Sequence, residues 1–349
     1  DINIISTDGD TNIGNGSAAI RLTADISVFV EPALQVDNLK LDGNTLSSTN
    51  TNGPLILNAN GTGALQADSG GNARGAYAVD LQRVRSAVTQ VASGSCSTVS
   101  GGRNNTASSN YSTVGGGQCN CASSFSSTVG GGVGNTASCF SSTVGGGGSL
   151  LFGGNTASSC YSTVSGGAGN TASGSSSTVG GGRSNCASGY ISTVGGGYGN
   201  TATGSYSTVS SGYFNTTNAR HSTISGGNKN VIQSPTNECC SRGATIGGGV
   251  GHNSSGGTLD GTTGDLSGTI TCCDAGRFST IGGGLRNCAT GNYSTVSGGC
   301  SNTASSYYST VSGGLQNCAS GTSSTVGGGW DNCASGYVST VSGGCTNIA

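Results

Sequence analysis

Residues 94–132 read GSCSTVSGGRNNTASSNYSTVGGGQCNCASSFSSTVGGG, and Ser-Thr-Val, two or three glycines and Asn-x-Ala recur in that order. If the Thr of each Ser-Thr-Val is position 0, a β-branched residue stands at position 1, Asn at position 7 and Ala at position 9. The unit or a close variant occurs fifteen times up to residue 349; eleven of the fourteen intervals are 15 residues, and the others are 20, 22 and 35. The position-0 residues are Thr98, Thr113, Thr128, Thr143, Thr163, Thr178, Thr193, Thr208, Thr223, Thr245, Thr280, Thr295, Thr310, Thr325 and Thr340.

Each unit offers two short strands, Ser-Thr-Val and Asn-x-Ala. Because side chains alternate across a strand, Ser and Val would point inward and Thr outward, while Asn and Ala would point inward in the second strand. One turn cannot bury its own Val, but stacked turns bury continuous columns. The sequence therefore predicts an all-β fold, a parallel β-roll or β-solenoid of fifteen turns over residues 94–349. Glycines would form one corner, and aromatic residues such as Tyr111 and Phe125 another.

The interruptions of the repeat, near 148–152, 233–243 and 254–276, are the predicted binding loops, because loops on a rigid scaffold commonly carry recognition. The first is an apolar bulge, either exposed for a partner or tucked between chains. Trp330 replaces a residue that is usually small or polar, and is either a contact point or a packing plug. The receptor-binding candidates are Leu150, Leu151, Phe152, Asn237, Arg242, Asp260, Asp265 and Trp330.

The segment before the repeats differs in pattern. Residues 1–66 alternate apolar and polar residues between turn signals, which predicts a β-rich shaft or attachment region. In residues 67–93 the apolar residues are spaced 4, 3, 4 and 3, which favours a short helical neck that joins three chains as a coiled coil. A helix packed on its own chain is the alternative. The predicted trimer seam is Tyr77, Leu81, Val84, Val88 and Val91.

The chain has 15 cysteines, more than an ordinary reduced cytosolic protein carries, which indicates an oxidising or extracellular destination. Because the number is odd, at least one is free or paired between chains. Cys288 and Cys300 stand in the same relation as Cys333 and Cys345, which predicts the same bridge twice. Cys139 and Cys160 lie on neighbouring turns, and the vicinal pairs Cys239-Cys240 and Cys272-Cys273 are expected to cross-bridge the two long loops. A zinc site is the alternative. Zinc sites usually use Cys-x₂₋₄-Cys spacing, which these vicinal pairs do not have, so disulfides are favoured here.

Composition argues against several classes of function. Charged residues make up 7% of the chain and the net charge is −2, so no basic surface for nucleic acid is predicted. The sequence has no run of about 20 apolar residues, so no membrane-spanning segment is predicted. The two histidines, His221 and His252, belong to no recognisable catalytic set, and the glycine runs are not followed by the Lys of a phosphate-binding loop. We therefore expect no enzymatic activity, no metal and no cofactor.

The repeats, with YSTVGGG at 111–117 and NTASG at 170–174, resemble the head of YadA-like trimeric autotransporter adhesins. Residues 38–66 (NLKLDGNTLSSTNTNGPLILNANGTGALQ) and 71–94 (GNARGAYAVDLQRVRSAVTQVASG) resemble virus and phage tail fibres that carry such repeats. The resemblance implies a left-handed roll, a homotrimer, and a location on the virion surface or outside the cell. It also implies an N-terminal region that binds the virion or other fibre proteins, a host-surface glycan or protein receptor, and a self-cleaving chaperone domain after Ala349.

The leading hypothesis is a structural, receptor-binding fibre protein of a virus or phage that mediates attachment to a host. The passenger domain of a cellular trimeric adhesin is the first alternative. An ice-binding β-solenoid is the second, because outward threonines on a flat sheet can order water.

Overall fold

A computed structural model describes residues 57, 59, 61–234, 240–254 and 276–349, with two short strands at 258–259 and 266–267. Every regular element within these ranges is a β-strand, and none is a helix. The chain divides into two units, Asp1–Ile56 and Leu57–Ala349. The first unit, which contains most of the predicted shaft (1–66), lies outside the described residues.

The second unit is a parallel β-solenoid, as predicted. Its first ladder, here the Val ladder, contains seventeen two-residue strands, each paired in parallel with the equivalent strand of the next turn. The strands are Leu65–Gln66, Val79–Asp80, Thr98–Val99, Thr113–Val114, Thr128–Val129, Thr143–Val144, Thr163–Val164, Thr178–Val179, Thr193–Val194, Thr208–Val209, Thr223–Ile224, Thr245–Ile246, Thr280–Ile281, Thr295–Val296, Thr310–Val311, Thr325–Val326 and Thr340–Val341. The ladder thus begins two turns before the first Ser-Thr-Val.

The second ladder, here the Ala ladder, consists of nine strands and then four. These are Thr106–Ala107, Cys121–Ala122, Thr136–Ala137, Thr156–Ala157, Thr171–Ala172, Cys186–Ala187, Thr201–Ala202, Thr216–Thr217 and Val231–Ile232, then Cys288–Ala289, Thr303–Ala304, Cys318–Ala319 and Cys333–Ala334. Single bridges through Asn253 join the two groups. A third ladder of single bridges runs along position 5, for example Arg183–Tyr198–Tyr213. In the long insertion, Thr258–Leu259 and Leu266–Ser267 form an antiparallel pair.

The core follows the predicted alternation. The Val and Ala columns are fully buried, and so are the Ser before each Thr and the Asn at position 7, while the position-0 Thr stays partly exposed in most turns. Glycine is required at position 4, where Gly102 has φ +83° and a Cβ would overlap the carbonyl oxygen of Gly117. The backbones of neighbouring turns thus approach closely at this corner. The core between the ladders is thin, because Val and Ala bury little apolar area per residue.

The buried asparagines link successive turns. Asn170 Oδ1 accepts the backbone N–H of Asn185 at 3.0 Å, and Asn170 Nδ2 donates to the carbonyls of Gly166 and Gly182, both at 2.9 Å. An amide-to-amide bond also occurs in some turns, such as Asn185 Nδ2 to Asn170 Oδ1 at 3.2 Å. The backbone contacts are more regular along the column, and each Asn thereby satisfies the glycine corner beside it.

The predicted helical neck is not formed. Residues 67–93 hold the strand Val79–Asp80, which pairs with Leu65–Gln66 and Thr98–Val99. Of the predicted seam, Tyr77, Leu81, Val84 and Val88 are exposed, and Val91 is buried in its own chain. The backbone here is committed to the ladder, and a helix would leave the first turn of the repeats without a partner.

The same segment acts as the N-terminal cap of the solenoid. Asp80 replaces the buried Val, and its Oδ2 accepts hydrogen bonds from Arg74 Nε at 2.9 Å and Arg85 at 3.0 Å. Gln82 takes the place of the buried Asn: its Oε1 accepts the N–H of Asn105 at 2.9 Å, and its Nε2 donates to the Asn105 carbonyl at 2.7 Å.

Candidate binding surfaces

Two corners of the solenoid carry exposed apolar side chains in many of its turns. Edge A is the column of positions 12 and 13, which stand three and two residues before the next Thr and are assigned to the turn of that Thr. Edge B is the column of positions 5 and 6 with the insertion at 148–154. Positions 6 and 13 both have left-handed backbone, for example Arg286 at φ 52° and Tyr293 at φ 58°. The chain therefore turns sharply at both edges, and the two edges are separated by the Ala ladder on one side and the Val ladder on the other.

Edge A is a row of stacked aromatic rings. Tyr111, Phe125, Phe140 and Tyr161 follow each other with ring centroids 5.3, 5.5 and 5.5 Å apart. Two further rows are Tyr190–Tyr206–His221 and Phe278–Tyr293–Tyr308. Among the described residues, twelve Phe and Tyr side chains of this edge are exposed: Tyr77, Tyr111, Phe125, Phe140, Tyr161, Tyr190, Tyr206, Phe278, Tyr293, Tyr307, Tyr308 and Tyr337.

Bulky residues at this edge occupy backbone that disfavours them. Ile191 at φ 51° and Val338 at φ 57° are β-branched residues in the left-handed region, where such residues are outliers. Both side chains are exposed, so burial in their own chain does not offset the conformational cost. An outward contact is the function that would favour keeping an apolar side chain there.

Edge B carries the inserted apolar bulge. Ser149 and Gly153 form an antiparallel bridge, and Leu150 and Leu151 at the tip are 79% and 85% exposed. Phe152 lies under the Arg183 guanidinium, whose carbon is 3.5 Å from the ring centroid. Phe152 therefore supports the hairpin, while the two leucines are free to contact a partner.

Edge B continues along the solenoid as a broken apolar column. Trp330 is 53% exposed and its Nε1 donates to Gln316 Oε1 at 3.2 Å, so Trp330 is a surface residue and not a buried plug. The other exposed apolar residues of the column are Val84, Tyr213, Phe214, Val250, Leu285 and Leu315.

The two edges match in character at several turns of the solenoid. At the turns of Thr128 and Thr143, edge A presents Phe125 and Phe140, and edge B presents Val133 and the Leu150–Leu151 tip. Both edges turn polar at Thr178, with Ser175 and Ser176 on one and Arg183 and Ser184 on the other. They are aromatic together at Thr193 and Thr208, and apolar together at Thr310. Both edges carry basic residues at Thr223 and Thr280, and the edges differ in character at Thr113, Thr245 and Thr325.

The structure revises the predicted bridges. Cys139 and Cys160 form a disulfide with Cα atoms 4.9 Å apart, and Cys240 is also disulfide-bonded. The predicted Cys288–Cys300 and Cys333–Cys345 bridges are absent, because all four thiols are free. One partner of each pair stands at position 8 and the other at position 5, and the left-handed residue at position 6 turns the chain between them.

Two other thiols lie in register on neighbouring turns. Cys333 pairs in register with Cys318 on the Ala ladder. Burial raises the pKa of the Cys318 thiol, to which the neighbouring Cys333 also contributes, and burial raises the pKa of Cys288 to about 11. These thiols are therefore protonated and weakly nucleophilic near neutral pH.

Of the remaining predicted site residues, only Arg242 belongs to the described part of the chain, where it is half-buried on edge A. Asn237, Asp260, Asp265, Cys239, Cys272 and Cys273 lie outside the described residues. In the part of the chain that is described, no cluster of three His, Cys, Asp or Glu side chains could hold a metal ion.

Comparison with known proteins identifies no relative: no protein-family model matches the sequence, and no curated protein matches it. No helix among the described residues is long and apolar enough to cross a membrane. Sequence reasoning identified the aromatic corner and the bulge separately. It missed their relation as two matched edges, which a column-by-column reading of positions 5, 6, 12 and 13 reveals.

Proposed function

We propose that this chain is the rod of an attachment fibre, in which copies pack side by side, in parallel and in register, edge A of one against edge B of the next. The observation that carries the proposal is the match between the two edges at the turns of Thr128, Thr143, Thr178, Thr193, Thr208 and Thr310. Parallel copies around a common axis bring equal turns to equal heights, so apolar turns meet apolar turns and polar turns meet polar ones. Antiparallel copies would oppose unlike turns.

The exposed apolar area is sufficient for a stable contact. A half-exposed aromatic side chain still offers roughly 80–100 Å², so the twelve exposed aromatics of edge A offer on the order of 1,000 Å². A standard interface buries about 800 Å² on each partner. The pitch also favours self-association, because only a partner with the same repeat distance can follow the edge over many turns.

The number of chains follows from symmetry and resemblance. A contact between two different edges is heterologous and forms a ring when the rotation between neighbouring copies closes, whereas a two-fold dimer would need one self-complementary patch. Three chains is the number in the tail fibres and adhesins that the sequence resembles. We therefore propose a homotrimer, with the N-terminal region bound to a virion or to other fibre proteins.

The attachment role is proposed on the same basis. The two long insertions interrupt the repeat within one stretch of the rod, which suits display of a recognition surface to a host glycan or protein. The Cys139–Cys160 disulfide is typical of an extracellular location. A cellular adhesin with the same assembly is the alternative, and binding of the purified chain to host cells against binding to its own producing cells distinguishes the two.

The assembly is tested by placing charge on one edge. Leu150→Asp with Leu151→Asp should convert trimers to monomers, because the tip is expected to be desolvated against the neighbour's Phe140. Light scattering coupled to size exclusion measures the mass, and circular dichroism checks that the fold is kept. Ser210→Asp is the matched control, since Ser210 is exposed at position 2, away from both edges. Loss of trimers in the control alone, or in neither variant, contradicts the proposal.

One observation favours a second function. All fifteen position-0 residues are Thr, stacked in register and pointing outward, although nothing in the core fixes an outward residue. Thr pairs stabilise neighbouring strands, which accounts for part of this regularity. An ice-binding face would account for it too. Thermal hysteresis of the purified protein, lost in Thr178→Lys and kept in Ser210→Lys, would support that function; no hysteresis removes it.

A further inference from the structure

Basic residues are concentrated in one short stretch of the rod. Residues 94–349 contain seven Lys and Arg, and five of them lie on three successive turns at the two long insertions. These five are Arg220, Lys229, Arg242, Arg277 and Arg286. Such clustering is unexpected in a chain whose charged residues make up only 7% of the sequence.

Three of these arginines stack in one column of edge A. The N–H of Gly243 donates to the carbonyl of Arg220 at 3.0 Å, and the N–H of Phe278 donates to the carbonyl of Arg242 at 2.9 Å. Arg220, Arg242 and Arg277 thus occupy equivalent positions on adjacent turns, about 4.8 Å apart along the rod. We call them the arginine column.

The arginine column has no negative partner among the described residues. The salt bridges that the structure describes all lie in the N-terminal cap, between Asp68 or Asp80 and Arg74 or Arg85. The Nε of Arg220 is buried without a hydrogen-bond partner. Stacked like charges repel each other, and a buried donor without a partner costs free energy. A bound anion would offset the repulsion and accept the free hydrogen bond.

We propose that the arginine column binds a carboxylate- or sulfate-bearing glycan. Guanidinium groups bind both kinds of oxyanion with charge-assisted hydrogen bonds. Aromatic rings stand beside the charges: the Arg220 guanidinium carbon lies 5.6 Å from the Tyr206 ring centroid, and that of Arg277 lies 5.2 Å from the Phe278 ring centroid. Charges in a row beside rings suit an acidic sugar chain, and three to five charges are few for a nucleic-acid duplex.

The inference deepens the proposed function by naming the class of receptor, and it rests on that function only for where the receptor acts. In the proposed assembly, Lys229 and Arg286 on edge B of the neighbour would lie at the same turns as the column. Direct contact there would bring like charges together, so the edges are expected to separate at these turns. A bound polyanion would then contact two chains.

The chain's own acidic residues are the competing ligand. Glu238, Asp260, Asp265 and Asp274 belong to the two insertions and lie outside the described residues. If they neutralise the column, added glycan will not bind. The experiment therefore uses the full chain with all its loops.

Binding of the full-length protein to a sulfated polysaccharide, a polyuronate, neutral dextran and a DNA duplex should be measured by biolayer interferometry. We expect binding to the sulfated polysaccharide or the polyuronate and none to dextran. Arg220→Gln/Arg242→Gln/Arg277→Gln should weaken it at least tenfold, and Arg242→Gln alone several-fold. Arg103→Gln, the matched single control on edge B, should change it less than twofold.

Three outcomes would overturn the inference: no binding to either acidic glycan, equal loss in the Arg103 and Arg242 variants, or tighter binding to DNA than to either glycan. The mass of each variant is measured in the same samples. A monomer that still binds acidic glycan through the column would refute the proposed assembly and leave this inference standing. A trimer that binds no acidic glycan would do the reverse.

Discussion

At the scale of single residues, the solenoid depends on one polar column inside it. Each buried Asn has a fixed set of backbone partners on its own turn and the next, as Asn170 shows. His252 is the one described replacement by a titratable residue. Its N–H donates to Asn230 Oδ1 at 3.0 Å, and its Nδ1 accepts the N–H of Asn287 at 3.1 Å. The ring thus continues the column only in its neutral form.

This replacement makes stability depend on pH. Burial lowers the pKa of His252 below its ordinary value, although nearby backbone contacts oppose the shift. The unfolded chain binds the proton near pH 6.5 and the folded chain only at lower pH, so this contribution is complete above about pH 6.5 and is lost as the pH falls. We predict that Tm falls less between pH 7.5 and pH 5 in His252→Asn than in the unmodified protein, and that the two falls differ by about 2–4 °C. His221→Asn, at the exposed His that stacks on Tyr206, should show the same fall as the unmodified protein.

A pH-independent difference between the His252→Asn variant and the unmodified protein would contradict this assignment. Differential scanning calorimetry at both pH values gives the measurement. The sequence alone did not indicate this role for His252, because it lies in the 35-residue interval between Thr245 and Thr280, where the regular repeat is interrupted.

At the scale of elements, the sequence predicted the strands and misassigned the segment before them. Alternation within Ser-Thr-Val and Asn-x-Ala decides which side chains are buried, and the structure agrees. The heptad spacing in 67–93 has a different origin. Positions 13 and 5 of successive turns are seven residues apart, so Tyr77 and Val84 repeat every seven residues because they occupy successive corners. A solenoid with two outer corners per turn therefore imitates a coiled coil.

The cysteine pairs were misassigned for a related reason. Sequence spacing shows which cysteines recur together, but not the left-handed residue that separates positions 5 and 8 onto different faces. The edges could not be predicted as surfaces of one assembly, because their match is a property of columns that exist only after stacking.

The N-terminal cap gives a prediction at this scale. Asp80 is fully buried between Arg74 and Arg85, whose side chains are 3% and 7% exposed. Asp80→Asn removes the buried carboxylate that pairs with both arginines and leaves them only the more exposed Asp68, which costs about 3 kcal/mol. Because turns contact only their neighbours, the loss should be local. Hydrogen exchange should accelerate in residues 65–107 and stay unchanged in residues 280–341, and Asp331→Asn, on the exposed surface, is the control. Uniform acceleration along the chain would contradict a cap.

At the scale of the whole molecule, a thin core is combined with two exposed apolar edges. Columns of Val and Ala stabilise each turn weakly, and the same repeat places aromatic rings and the Leu150–Leu151 tip in solvent. Side-by-side association would bury those edges and make the rod stiff enough to project a binding surface. The basic turns near the insertions would then be the part of the fibre that meets its receptor.

The most direct test of this account is the mass of the full-length protein in solution, measured by light scattering under native conditions. A mass about three times the chain's 33.5 kDa, reduced to one chain by Leu150→Asp/Leu151→Asp and unchanged by Ser210→Asp, is the predicted result. A monomer at micromolar concentration, with the solenoid intact by circular dichroism, would contradict it.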